Sequence, residues 1–331
     1  MTDAMIGLIA LPLAGALATL LLPRSATAVA IGTGLATTVA AGLLLSGVAT
    51  QGALHYEIGG WSAGLGIALR ADGLSALLLM MTALVALAAS VYASAYFNTA
   101  SERARFWPLW LLLWTALNAL LLSGDLFNLY VTLELLGLSA VALASLSGRR
   151  AAVAAALRYL LVGLLGSMMF LAGVSLLYAG YGTLDLAALS HMVAPGPSAW
   201  TALALMTTGL LLKTALFPLH FWLPPAHASA PAPVSAVLSA LVVKAAFYLV
   251  LRLWLDVFAT VVTPAAANLL GLLGAGAVLW GSWHALQAER LKLLAAYSTV
   301  AQLGYLFLFF PLLLALPSGP ARDLAAGGLV M

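Results

Sequence analysis

Three ionisable residues stand in surroundings that are otherwise apolar. Glu134 lies in DLFNLYVTLELLGLSAVALASL, Lys213 in LLLKTALFPLHFW and Lys244 in ALVVKAAFY. A charge at the centre of a bilayer costs about 2.5–3.5 kcal/mol on insertion scales, so such groups persist only where they are paired, hydrated or useful. One carboxylate and two amines held away from water are the parts of a proton or cation relay, because buried lysines in general release their proton more readily than solvated ones. A strictly paired arrangement would leave one of the two lysines without a counter-charge, which favours the relay. The static alternative is a Glu134–Lys213 pair that fixes helix register, with Lys244 reaching a carbonyl.

The stretch KTALFPLHFWLPPAHASAPAPVSAVLSALVVKAAFY, residues 213–248, adds a second feature. Pro218 removes a backbone donor and clashes with the preceding turn, so the helix carrying Lys213 should break there. Broken helices at membrane depth line cavities, and transporters place ion sites at them. His220 follows the break, and His227 stands in a proline-rich connector; each is either a further relay group or a satisfied structural histidine. His284 is read the same way, and its neighbours Trp280 and Gln287 do not decide between the two. An antiparallel hairpin through the connector would bring Lys213 and Lys244 to similar depth. Asp125, after SG, is a helix N-cap or a point of proton entry. The glycines of GLLGAGAVLWG, residues 271–281, follow no strand and read as small-residue helix packing. No nucleophile–base–orienter set, zinc motif or phosphate loop is present, so an enzyme acting by itself on a covalent substrate, a resident metal and a cofactor are not expected.

These groups need a frame that is mostly lipid-solvated. Of 331 residues, 64% are hydrophobic and 7% charged, against about 25% charged in soluble domains. The mean hydropathy is +1.11. Cysteine is absent, which removes disulfides and thiolate-held metals or clusters. The basic residues are scattered singly, which argues against nucleic acid as a partner. A spanning helix needs roughly 20 mostly apolar residues. Ten segments qualify, at about 4–22, 26–48, 73–97, 107–123, 126–146, 153–179, 198–218, 232–255, 265–286 and 293–316. The first lacks a basic leader region and a small-residue cleavage site, so it reads as a retained helix. Residues 49–72 are long enough for a small hairpin, and 180–197 form a second long connector. Connectors after odd-numbered segments hold seven Lys or Arg, and those after even-numbered segments hold Arg70, Arg252 and Arg322. That bias puts the N-terminus outside and the odd connectors in the cytoplasm.

Three stretches together resemble one known family: DLFNLYVTLELLGLSAVALASLSG, LLLKTALFPLHFWLPPAHASAPAPVSAVLSALVVKAAFYLVLR and AERLKLLAAYSTVAQLGYLFL. They are similar to the antiporter-like, proton-conducting membrane subunits of Mrp-type Na+/H+ antiporters, respiratory complex I and membrane-bound hydrogenases. GGWSAGLGIALRADGLSALLL looks most like the Mrp D-type subunit. The resemblance implies an all-α polytopic transmembrane helix bundle of about ten helices. It also implies a five-helix repeat with a broken seventh helix, and a second, inverted repeat. The implied division is 1–106 for three N-terminal helices, 107–257 for the first repeat and 258–331 for the start of the second. Family members carry more helices than the ten counted here, so the second repeat is expected to be incomplete, with a further helix starting near ARDLAAGGLVM. Glu134, Lys213 and Lys244 take the places of the family's relay groups.

The implied function is that of a membrane subunit of a cation/proton antiporter in a prokaryotic-type cell membrane. Its expected partners are other membrane subunits, lipid, H+ and Na+. Two alternatives stay open: a proton-pumping subunit of NADH–quinone oxidoreductase or a hydrogenase, and a non-conducting scaffold.

Overall fold

In hydrocarbon every backbone group must find its partner within the protein, so only helices and closed barrels span. The chain answers with helices. The computed structural model describes residues 2–60 and 66–316, so the expected helix start near ARDLAAGGLVM lies outside the described residues. Among the described residues, ten helices are long and apolar enough to cross a membrane. We label them α1 (Thr2–Leu21), α2 (Ala26–Gln51), α3 (Gly73–Tyr96), α4 (Ala100–Leu122), α5 (Leu126–Ala144), α6 (Arg150–Tyr181), α7 (Pro197–Ser229), α8 (Ala232–Val257), α9 (Pro264–Leu286) and α10 (Leu291–Ala315). The chain is therefore an integral membrane protein, and the ten expected segments are each found. Connector 49–72 does carry a hairpin: β1 (Leu54–Glu57) pairs antiparallel with β2 (Ala68–Ala71), Leu54 opposite Ala71.

Three features differ from expectation for local reasons. α4 starts well before residue 107, because Thr99 and Glu102 form a reciprocal capping box that begins a helix inside the polar run. Arg103 and Arg105 thus belong to the first turns of α4 and not to a connector. Residues 180–197 contain a short helix, Leu186–Met192, begun by the Asp185 side chain accepting from the Ala188 N–H. α8 is not one regular helix: π-helical turns at Leu238–Val242 and Leu253–Val257 interrupt it.

α4 is the most buried span and packs against α1, α2, α3 and α5. Two of its tryptophans satisfy their indole N–H groups on neighbouring helices. Trp107 donates to the Thr27 hydroxyl at 3.0 Å and Trp110 to the Ser90 hydroxyl at 2.8 Å. Asn118 donates to the Leu8 carbonyl at 2.7 Å. Elsewhere backbones touch. A Cβ on Gly209 of α7 would lie 2.3 Å from the Gly166 carbonyl oxygen of α6, and one on Gly304 of α10 2.5 Å from that of Gly274 of α9. Small residues let helix backbones approach this closely where lipid offers no hydrophobic drive.

At the hairpin end, charges clamp the bundle. Arg252, in α8, is ion-paired with Asp72, the residue that caps α3, and with Asp256 at 3.3 Å. Arg70 of β2 joins them, 3.2 Å from Asp72 and 3.7 Å from Asp256. Burial alone would raise the Asp72 pKa. The Arg252 charge and hydrogen bond, the Ser75 N–H and Arg70 outweigh it and hold this carboxyl below its ordinary value of 3.8.

The clamp makes a prediction. Arg252→Gln should cost about 2 kcal/mol, since it leaves a largely buried carboxylate with Arg70 as its one remaining cationic partner among the described residues. Asp72 titrates lower folded than unfolded, so the clamp's contribution is complete above the ordinary value of 3.8. It is lost as pH falls through the lower folded value. Thermal unfolding of wild type and variant in detergent, at neutral and strongly acidic pH, checks this. A stability gap that does not shrink in acid would remove Asp72 from the clamp.

Candidate functional site

α5 presents Glu134 and Gly137 on one face, three residues apart. Opposite them stands Lys213 in the last regular turn of α7, where a cation is favoured by the helix dipole. Lys213 Nζ lies 3.1 Å from Glu134 Oε1, with the two side chains 8% and 19% exposed. Gly137 lies against the ammonium; a Cβ there would sit 3.7 Å from Nζ, in ordinary van der Waals contact. Ser167 of α6 donates its hydroxyl to the same Glu134 oxygen. Sequence reading missed Ser167; its position next to Gly166, the residue of closest α6–α7 approach, is the signal that could have found it.

Beside the pair is a cavity of about 30 Å3, bordered by Glu134, Lys213, Tyr159, Val242 and Ala246. That is room for about two water molecules. Tyr159 ties the cavity to the helix break. Its ring stacks on Trp222 with centroids 4.2 Å apart and planes 7° apart. Trp222 Nε1 donates 2.8 Å to the Leu212 carbonyl at the end of the regular part of α7.

The break lies where the proline placed it. Regular helix ends at Thr214, Ala215 adopts a left-handed conformation with φ 53°, and the Phe217–Pro218 peptide is cis. The chain resumes as a 3-10 turn, Leu219–Trp222, and a short helix, Leu223–Ser229.

Lys244 is elsewhere. Its Nζ donates 2.8 Å to the Ser239 carbonyl inside the first π turn, and the Ser239 hydroxyl bonds that of Thr299 of α10 at 2.6 Å. Among the described residues no carboxylate pairs with it. It borders a second, mostly apolar cavity of about 310 Å3 that includes Thr82 of α3, Leu121 of α4 and Tyr248. Ala246 faces the Lys213 cavity, whereas Lys244 and Tyr248 face the second. Two residues apart on a helix point about 200° apart. Hence α8 itself stands between the two lysine cavities, and the helical hairpin packs α8 on α7 without bringing Lys244 to Lys213.

The histidines form two groups, and none borders the Glu134–Lys213 cavity. His220 is buried against Phe217 and Trp280, with ring centroids at 5.7 and 6.3 Å, and its Nδ1 has no partner among the described residues. His284 also packs on the Trp280 ring, 4.4 Å between centroids, with Nδ1 3.0 Å from the Trp280 carbonyl oxygen. The break in α7 thus docks on α9 through His220, Trp280 and His284. His227 is buried, with Nδ1 2.7 Å from the Ser235 hydroxyl and Nε2 without a partner among the described residues. Arg158 is exposed on α6 and takes no part in the site.

Asp125 is the N-cap of α5, accepting the Asn128 N–H at 2.7 Å through Oδ1. Its other oxygen is buried and unpartnered among the described residues. Burial raises its pKa most; N–H donors from Asn128, Ala68 and Phe127 pull the other way, nearby Asp185 adds to the rise, and the net direction is up.

Residues 123–312 match the family model described as NADH:quinone oxidoreductase/Mrp antiporter, transmembrane. The chain is 40% identical over 261 residues to an N-type subunit of NADH-quinone oxidoreductase from Desulforudis audaxviator, covering 77% of this chain and 52% of that protein. It is 37% identical over 259 residues to a probable D-type subunit of a K+/H+ antiporter from Rhizobium meliloti, covering 76% and 48%. In three dimensions it is similar to a chain of the Mrp complex from Dietzia sp. DQ12-45-1b, with a TM-score of 0.88 and 28% identity, covering 100% of this chain and 62% of that one. The chain spans about half the length of the curated relatives it matches.

The cap and entry readings of Asp125 separate by experiment. Asp125→Asn keeps a capping side chain and removes a buried charge, so it should be at least as stable as wild type at neutral pH. Asp125→Ala should lose about 1 kcal/mol. Thermal unfolding reads the stabilities, and proton flux in vesicles reads entry. Flux lost in a fully stable Asp125→Asn would make Asp125 a proton carrier and not merely a cap.

Proposed function

Because the chain belongs to the NADH:quinone oxidoreductase/Mrp antiporter transmembrane family, we propose that it is a membrane subunit of an Mrp-type cation/proton antiporter that relays protons through Glu134, Lys213 and Lys244. The observation that carries the reading is the buried Lys213–Glu134 pair at 3.1 Å, set at the end of a broken helix beside a water-sized cavity. With the pair closed, the carboxylate stabilises the ammonium. When Glu134 moves away, held by Ser167, Lys213 loses that stabilisation and yields its proton to the cavity. The next station is Lys244. Because α8 separates the two lysines, the step between them goes with rearrangement of the π turn whose Ser239 carbonyl holds Lys244. π turns recur at functional sites as single-turn bulges inside otherwise regular helices. His220, His284 and His227 are further candidate stations on the approach to the break.

In this reading residues 107–257 are one five-helix repeat, and 258–331 belong to a second, inverted one. The N-terminus lies outside, in accord with the arginine and lysine bias. The partners are other membrane subunits, lipid, H+ and an exchanged alkali cation, in a prokaryotic-type cell membrane. A second reading has a specific observation behind it: the relative named as an NADH-quinone oxidoreductase subunit is somewhat more identical than the K+/H+ antiporter one, 40% against 37%. There the same relay would be driven by redox subunits.

The test is transport in vesicles holding the complete native complex, followed with a pH-sensitive dye. Lys213→Ala and Glu134→Ala should each abolish proton-coupled transport while the complex still assembles. Wild-type rates in both would sink the relay. The double change to leucine at both positions separates relay from register pin: a scaffold tolerates it, and a relay does not.

A further inference from the structure

The two ends of the bundle handle charge differently. At the hairpin end Arg70 and Arg252 are both ion-paired. At the opposite end a bowl of about 380 Å3 opens among the starts of α4, α6 and α10 and the end of α7. Arg105, Arg149, Arg290 and Lys292 line it, and no ion pair among the described residues involves any of the four. Glu102 is the one acid on its wall, and its carboxylate is engaged by the α4 cap, accepting from the Thr99 N–H at 3.2 Å and hydroxyl at 2.8 Å. Lys292 is held over the bowl by the Ala230 carbonyl oxygen, 2.6 Å from Nζ, which aims its charge at the end of α7.

Four cations from separate parts of the chain therefore converge on one concavity whose lining acid is already occupied. Their mutual repulsion is relieved by an anion. The volume falls within the ~300–1,000 Å3 of small-ligand sites. Guanidinium groups offer the forked donors that match phosphate oxygens in pairs. The bowl lies where spans begin and end, which is the depth of lipid headgroups, and Phe97 and Leu146 add apolar wall. We propose that this bowl binds a phosphate-bearing anion, with Arg149, Arg290 and Lys292 as its principal ligands. The phosphate comes from an anionic phospholipid headgroup or from a free phosphate compound. The site is independent of the relay, since it needs neither Glu134 nor Lys213.

The experiment uses the native complex, purified and delipidated in a neutral detergent at fixed ionic strength. Its thermal midpoint is titrated with phosphatidylglycerol, phosphatidylcholine or sodium pyrophosphate. Phosphatidylglycerol, pyrophosphate or both should raise the midpoint, and phosphatidylcholine should not. Arg149→Gln/Arg290→Gln should need about ten-fold or more ligand for the same rise. Arg24→Gln/Arg103→Gln, which removes two cations outside the bowl, should respond as wild type. Should the first double variant fail to assemble, Arg290→Gln alone, in a surface connector, should still show a weakened response. A rise with phosphatidylglycerol alone assigns the headgroup as source, and a rise with pyrophosphate assigns phosphate itself. An equal response to phosphatidylcholine overturns the proposal, as does an unaltered titration in the bowl variants or an equal loss in Arg24→Gln/Arg103→Gln.

Discussion

The closest constraint on this structure is the backbone contact between α6 and α7 at Gly166 and Gly209. It leaves no space for lipid or a side chain between the two helices, so Ser167 and Lys213, just beyond the contact, are forced against α5. There they meet Glu134, and a charge that would be prohibitive alone becomes one member of a three-group network. The same contact holds the regular half of α7 rigidly up to Thr214, so the irregular backbone after it starts from a fixed point. Trp222 then returns to the Leu212 carbonyl and lays its face on Tyr159. The break is thereby sealed by an indole on the side facing the ion pair and docked on α9 by His220 and Trp280 on the other.

Much of this was legible in the sequence because the physics behind it is one-dimensional. Ten apolar runs of spanning length become ten helices, since a chain in lipid has no other way to satisfy its backbone. Regular α7 ends ahead of Pro218, which lacks an N–H and whose ring clashes with the preceding turn, and the Trp222 indole N–H donates to the Leu212 carbonyl there. Glu134 and Lys213 meet because, among the described residues, no other acid stands in the middle of a span. The preference of Lys244 for a carbonyl follows from the same scarcity.

What was not legible depends on helix phase and on capping. A regular helix through residues 232–255 hides the π turn at Leu238–Val242, and no residue type announces it. Yet that turn supplies the carbonyl for Lys244, and helix phase puts the body of α8 between the two lysines. The early start of α4 was hidden for a different reason: a polar run, NTASERAR, looks like a connector until Thr99 and Glu102 are seen as a capping box. Arg70 and Arg252 likewise look like scattered interfacial charges, because the carboxylates that pair with them come from β2's end and from one turn further along α8.

The two ends therefore carry opposite electrostatic designs from similar raw material. At the hairpin end, two arginines and two aspartates neutralise one another and bind β2, α3 and α8 into one block, so the ends of three elements move together or not at all. At the other end, no ion pair among the described residues involves the cations around the bowl, and the nearby carboxylate is committed to starting a helix. A charge-balanced end and a positive one bracket the break in α7 and the π turns in α8. A multivalent anion seated among Arg149, Arg290 and Lys292 would tie the end of α7 to α6 and α10, as the paired aspartates tie β2, α3 and α8 at the hairpin end.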